Sequence, residues 1–260
     1  MNTMEKFNLK GKCAIVTGAA TGLGKAMANA LADAGANIVI FDINKEKAEK
    51  TAEEIRKKNV EVMVVKADVT SYDEISSGVK KVLEKFGKID ILINDAGIVR
   101  HVKAEEMSLK DWNDVINVNL TGVFIVSQIV GKVMIEQKSG SIINISSMSG
   151  LIVNTPQCQC AYNASKAGVI LLTKSLATEW AGYNVRVNTI APGYMNTELT
   201  AMFIKDERNK PTVDRWMQFT PMGRVGEPEE LGGIAVYLAS DASSYVTGSV
   251  FTVDGGYTAW

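Results

Sequence analysis

The hydrophobic positions of this chain fall into short β-branched runs separated by longer amphipathic stretches. The runs are CAIVTG (13–18), NIVIFD (37–42), VEVMVVKAD (60–68), IDILIND (89–95), GSIINISS (140–147), NVRVNTIAPG (184–193) and SVFTVDGG (249–256). Each is apolar with little alternation, the pattern of strands covered on both faces, so seven strands are expected. Helical periods lie near 22–34, 44–58, 71–86, 108–135, 160–181 and 227–240. Strand and helix therefore alternate, which predicts an α/β protein: a doubly wound, seven-stranded parallel sheet with helices on both faces.

One stretch breaks this rhythm. Residues 194–226 follow the sixth run and carry no clean period. The segment is either a surface excursion or a lid, and we read it as a substrate lid, because long connections leaving a strand's C-terminal end tend to carry function. No repeat, low-complexity tract or linker divides the chain, so residues 1–260 are expected to form a single domain.

Composition excludes several function classes. Hydrophobic residues make up 46% of the chain and charged residues 22%, as in ordinary globular proteins. A net charge of −1 gives no general attraction to nucleic acid or to a membrane surface. The most charged run, 43–59, mixes both signs at helical spacing and reads as a solvated helix face. Cys13, Cys158 and Cys160 lack zinc or C-x-x-C spacing, and an odd count argues against a disulfide scaffold. A single histidine, His101, cannot build a multi-histidine zinc site, and no nucleophile elbow lies near it, so it reads as an exposed loop residue. No metal is expected. With no signal-like N-terminus and no membrane-length uninterrupted apolar run, a soluble cytoplasmic protein is the expectation.

Candidate chemistry begins at TGAATGLG, where Gly18, Gly22 and Gly24, with Thr21 and Leu23 among them, follow a strand and open a helix. Glycines there permit a tight turn and let backbone N–H groups approach a pyrophosphate at the positive end of the helix. Asp42 closes the next strand, where a carboxylate accepts hydrogen bonds from ribose hydroxyls and repels a 2′-phosphate. NAD is therefore expected over NADP. The loop residues Ala19, Ala20 and Thr21 include no arginine, and Ile43 follows Asp42 where a basic residue could have held the phosphate. The alternative for Asp42 is a helix N-cap.

With these residues in view, the chain from about Leu9 to Tyr257 resembles the short-chain dehydrogenase/reductase family. The pieces are TGAATGLG, Asp68 and Val69, NDAG (94–97), Asn119, ISS (145–147), YNASK (162–166) and APG (191–193) with Thr197, in the family's order. The resemblance implies a Rossmann-type fold and a catalytic tetrad of Asn119, Ser147, Tyr162 and Lys166. A free phenol is a poor base at neutral pH, with a pKa of about 10. Tyr162 and Lys166 stand at i and i+4 on one helix face, so the ammonium is expected to favour the phenolate and lower that pKa. Tyr162 would then exchange the substrate's hydroxyl proton while hydride passes to or from the nicotinamide. Lys166 would also bind the nicotinamide ribose, Ser147 would hold the substrate oxygen, and Asn119 would anchor a water relay to Lys166.

By the same resemblance Asn94, Ala96 and Gly97 belong to the adenosine side, and Asp68 and Val69 to the adenine. Ile190 is assigned to the nicotinamide carboxamide, and Pro192, Gly193 and Thr197 complete the cofactor contacts. Two departures stand out. Asp95 occupies a position where the family usually has asparagine, which adds a charge near the sheet centre. Ser147 lies two residues farther from Tyr162 than is common, and Ser149 has the common spacing; Ser147 is chosen because ISS closes the strand.

The longer loop before YNASK is similar to the polyol and ketose branch, the mannitol, sorbose and arabinitol dehydrogenases. Asn154, Gln157 and Gln159 could hydrogen-bond several hydroxyls, and Tyr194 and Trp216 could close over the substrate; alternatively they satisfy the loop backbone and form a small apolar core. Rival readings are a 3-oxoacyl carrier-protein reductase, a gluconate 5-dehydrogenase-like reductase and a catalytically silent nucleotide-binding protein. The aromatic C-terminus ending at Trp260, with the family's habit, leads us to expect a homotetramer.

Overall fold

The computed structural model describes residues 2–260. The strands are β1 (Cys13–Thr17), β2 (Asn37–Asp42), β3 (Val62–Lys66), β4 (Ile91–Asn94), β5 (Gly140–Ile145), β6 (Val185–Pro192) and β7 (Val250–Val253). They form one sheet in the order β3-β2-β1-β4-β5-β6-β7, and every neighbouring pair is parallel. The chain starts at the centre, winds out to β3, then crosses back to β4 and winds to the other edge. The reversal between β1 and β4 opens a crevice at the strands' C-terminal ends, where ligands bind in such sheets.

Burial explains the apolar runs. Successive strand residues point to opposite faces, and both faces are covered. Val16, Ile38, Ile40, Ile91 and Ile93 pack in one core layer, while Ile15, Val39, Phe41 and Leu92 pack in the other. The first layer is roofed by α1 (Gly22–Asp33), α2 (Lys45–Arg56) and α9 (Gly232–Ala239), through residues such as Leu31, Ile55 and Leu238. The second is roofed by α3 (Tyr72–Phe86), α5 (Gly122–Gln137) and α6 (Cys160–Trp180), through Val79, Val130 and Leu176.

Two features depart from the sequence pattern. The expected helix over 108–135 is two helices, α4 (Leu109–Ile116) and α5, joined by a π-helical turn over Asn117–Thr121. Leu109–Gln137 contains an 18-residue stretch of mean hydropathy 1.7, apolar enough to cross a membrane, but half of that stretch is buried, as in a core helix. The aperiodic segment 194–226 contains α7 (Glu198–Lys205) and α8 (Lys210–Phe219), and a bridge between Met195 and Gly226 pinches its base. Its helices are too short, at 8 and 10 residues, to print a clear period.

Candidate active site

The crevice above β1 and β4 holds a cavity of about 300 Å³ lined by Gly18, Thr21, Gly22, Leu23, Asp95, Ala96, Gly97, Thr197 and Glu198. Its floor is the start of α1. Thr21 is extended at φ −152° and makes no side-chain cap, and the first turn carries no acidic residue. Gly22 has φ +60°, and a Cβ there would meet only the Thr197 methyl, at 3.8 Å. The uncapped N–H groups of this turn therefore face the cavity, which suits the pyrophosphate of a dinucleotide.

Asp42 stands at the tip of β2 and is braced to the glycine loop. Its Oδ2 accepts the Ala20 N–H at 3.0 Å and its Oδ1 the Asn44 N–H at 2.8 Å. The N-cap of α2 is Asn44, which accepts the Lys47 N–H at 3.0 Å, so Asp42 is not the cap. Ile43 beside it is 66% exposed. Asp68 is exposed after β3 and turns on itself, accepting from Thr70, while Val69 is buried.

Not every expected cofactor residue reaches the crevice. Asn94 is buried, and its amide donates to Ser127 Oγ at 3.0 Å and to Asn144 Oδ1 at 2.8 Å. It ties β4 to α5 and β5 rather than facing adenosine, and its own Oδ1 finds no partner among the described residues. Ile190 is fully buried in the first core layer, and its carbonyl accepts the Ser146 N–H at 2.8 Å, so its side chain belongs to the core rather than to the crevice. Pro192 closes β6, and the Gly193 N–H donates to Val253 at 3.0 Å, which leads the chain out towards Thr197. Sequence reasoning missed Thr17. Its Oγ1 accepts the N–H groups of Asp95 and Ala96 at 3.0 and 3.2 Å and so sets the course of the NDAG turn.

The expected tetrad does converge. Tyr162 lies on the first turn of α6, Lys166 one turn further, and Ser147 just beyond β5. The Ser147 hydroxyl stands beside the Tyr162 phenol and favours its ionised form. Ser149, the alternative serine, points instead into the following loop, where its hydroxyl donates to Asn154 Oδ1 at 2.8 Å. Lys166 is buried, and its ammonium donates to the Ile145 carbonyl at 2.8 Å.

Asn119 sits in the π-helical turn, which inserts an extra residue and turns its side chain fully inward. Its amide accepts the Ile98 N–H at 2.8 Å and donates to the Ile98 carbonyl at 2.8 Å and to Ser165 at 3.1 Å. The side chain thus locks the 96–98 loop to α6. Gly97 passes so close that a Cβ on it would lie 3.3 Å from Asn119 Oδ1 and 3.6 Å from Lys166 Nζ.

The electrostatics correct one expectation. Burial raises the Tyr162 phenol above its ordinary value; the Ser147 hydroxyl lowers it in part, and the Asp95 charge raises it further. Lys166 makes no direct bond to the phenol: its Nζ stands 5.6 Å from the ring centre and donates to the Ile145 carbonyl of β5. Burial pulls the Lys166 ammonium down to about 8, against the opposing pull of Asp95. Asp95, whose partner the sequence did not reveal, is pushed up to about 6 by burial, with Lys166 and the Gly24 N–H working the other way.

The residues expected to meet substrate form one network. Asn154 and Gln159 are buried, and Gln159 Nε2 donates to Asn154 Oδ1, Ser149 Oγ and Asn163 Oδ1 at 3.1, 3.2 and 3.0 Å. Gln157 donates to the Tyr194 hydroxyl at 2.8 Å and accepts from Trp216 Nε1 at 3.2 Å. Asn154 donates to the same hydroxyl at 3.0 Å. The Tyr194 and Trp216 rings stack at 4.0 Å. The amides are thus engaged with one another and with 194–226, and they form a hydrogen-bonded wall rather than free substrate ligands.

The family model described as Enoyl-(Acyl carrier protein) reductase matches residues 18–258. Galactitol 2-dehydrogenase (L-tagatose-forming) of Cereibacter sphaeroides is 42% identical over 254 residues, 98% of this chain and 98% of that protein. A 3-oxoacyl-[acyl-carrier-protein] reductase of Thermotoga maritima is 44% identical over 250 residues, 96% of this chain and 99% of that protein. Among solved structures, a gluconate 5-dehydrogenase of Burkholderia cenocepacia in complex with NADP and tartrate aligns with a TM-score of 0.93 at 37% identity, covering 100% of both chains. The chain belongs to the short-chain dehydrogenase/reductase family and is an NAD(P)-dependent oxidoreductase acting on the alcohol or ketone group of small molecules.

Proposed function

We propose that this short-chain dehydrogenase/reductase interconverts a polyol and a ketose, with NAD rather than NADP, as a cytoplasmic homotetramer. The observation that carries the substrate class is the wall beside Tyr162 and Ser147. It is built from amides and hydroxyls bonded to one another, Ser149, Asn154, Gln157, Gln159, Asn163 and the Tyr194 hydroxyl, and so gives the site a polar rather than an apolar side, which suits a hydroxylated substrate. The cofactor preference rests on Asp42, held in place by two backbone N–H groups where a 2′-phosphate would meet a carboxylate. The tetramer rests on exposed apolar side chains, among them Leu171, Phe124 and Trp260.

Bound in the crevice, the dinucleotide supplies the hydride acceptor or donor. In oxidation Tyr162 takes the hydroxyl proton through its oxygen while the carbinol hydride leaves, so alcohol and oxidised cofactor give ketone, reduced cofactor and one proton. Ser147, beside Tyr162, holds the same substrate oxygen and steadies the charge that develops there. Lys166 keeps a positive charge beneath the phenol below about pH 8 and faces the gap beside Gly97 where a ribose would lie. Asn119 acts by position, fixing the 96–98 loop against α6.

The second reading is reduction of a 3-oxoacyl thioester, favoured by the Thermotoga maritima relative at 44% identity. Steady-state assays decide between them. NAD-linked oxidation of galactitol, mannitol, sorbitol and arabinitol should exceed NADPH-linked reduction of an acetoacetyl thioester; the reverse order would overturn the polyol reading.

A further inference from the structure

Asp95 brings a carboxylate into a cleft shaped for an anion. It follows β4 directly, and Thr17 holds its N–H at 3.0 Å. Its side chain lies against the first turn of α1, where the Gly24 N–H lowers its proton affinity and a Cβ on Gly24 would lie 2.8 Å from Asp95 Oδ2. The same residue lines the cavity with Gly18, Gly22 and Thr197, over the start of α1, which Thr21 leaves uncapped. An ionised carboxylate there competes with a pyrophosphate for the positive end of the helix.

We propose that Asp95 couples dinucleotide binding to proton uptake: its carboxyl takes up a proton as the pyrophosphate enters, and so Asp95 sets the pH range in which the cofactor binds. The inference rests on the dinucleotide occupying this cavity. Other charged groups act on Asp95 from each neighbouring element. Lys166 of α6 lowers its proton affinity, Asp42 of β2 raises it, and Glu198 of α7 lines the same cavity, while Tyr162 of α6 feels the Asp95 charge. In the free protein the carboxyl titrates at about 6. Two added phosphate charges push it higher, because like charges nearby favour the neutral acid. Near neutral pH the free carboxyl is mostly ionised, and binding must protonate it. Linkage then makes the dissociation constant rise with pH above about 6, with a limiting slope of about tenfold per unit.

Lys166 titrates at about 8, so its loss of charge also weakens anion binding, but in a higher window. The Asp95→Asn variant separates the two, since the amide keeps the shape of the carboxyl and an acceptor oxygen facing Gly24 while the charge is gone. NADH binding, followed by its own fluorescence from pH 5.5 to 9, should weaken about tenfold or more in the parent between pH 6 and 8. In Asp95→Asn it should change less than about threefold up to pH 7.5 and be tighter than in the parent at pH 8. Parallel curves for the two proteins would overturn the proposal while leaving the cofactor site intact. Failure of both to bind NADH at any pH would overturn the proposal together with the cofactor reading. Should the variant not fold, calorimetry of the parent at pH 7 in buffers of different ionisation enthalpy should report uptake of about half a proton or more per NADH. No uptake would likewise overturn the proposal.

Discussion

The Lys166 ammonium lies 5.6 Å from the centre of the Tyr162 ring. One helical turn separates the two residues, yet the lysine's direct bond runs to the carbonyl of Ile145. The phenol is therefore held neutral by burial, and the neighbouring Ser147 hydroxyl favours its ionisation. Alcohol oxidation, which needs the ionised phenol, should accelerate as pH rises through the alkaline range, while ketone reduction should slow. Tyr162→Phe should lower kcat about 10²–10⁴-fold. A binding assay should show NADH affinity within a few-fold of the parent, which separates a chemical role from a collapsed site.

Ser147 and Ser149 make a paired test. Ser147 meets the phenol, whereas Ser149 is tied to Asn154 and Gln159. Ser147→Ala should cost about 10²–10³ in kcat. Ser149→Ala should act mainly on KM, through the loosened loop. Undiminished turnover in Ser147→Ala would reverse the assignment.

Asp42 serves two purposes, and substitution should expose both. Asp42→Ala removes the acceptor for two backbone N–H groups, so urea unfolding should show a loss of about 1–3 kcal/mol. The ratio of kcat/KM for NAD over that for NADP should fall about tenfold or more, because the repulsion of a 2′-phosphate is gone. An unchanged ratio would remove the ribose role.

Asp95 also leaves a mark on stability. Its folded proton affinity is raised to about 6 from an ordinary 3.8, so the native state binds more protons than the unfolded chain between those values. Stability therefore falls as pH rises through that window and stays low above it. Asp95→Asn should gain about 1–2 kcal/mol at pH 7.5 and little near pH 4, read by chemical denaturation.

The segment 194–226 is latched by Gln157, which bonds both Tyr194 and Trp216. Gln157→Leu should raise amide hydrogen exchange across α7 and α8 and change KM more than kcat. Trp216→Ala, which empties a buried site stacked against Tyr194 and Phe203, should cost about 3–5 kcal/mol if the segment unfolds with the rest, and less if it unfolds alone.

Much of this was written locally. Strands buried on both faces need unbroken apolar runs, so CAIVT, NIVIFD and their companions specify a parallel sheet by themselves. Spacing alone put Tyr162 and Lys166 on one helix face, and the glycines after the first strand marked the turn that opens α1. Those properties depend on residues a few positions apart, and one-dimensional order carries them.

What the tertiary structure decided depends on residues far apart in the chain. Asn94 became a cross-link and Ile190 a core residue because β5 and its neighbours lie against them. The π-helical turn that buries Asn119 has no sequence period of its own. The proton affinities of Tyr162, Lys166 and Asp95 follow from desolvation and from charges brought together across β4, α1 and α6, and the composition of a single segment contains neither.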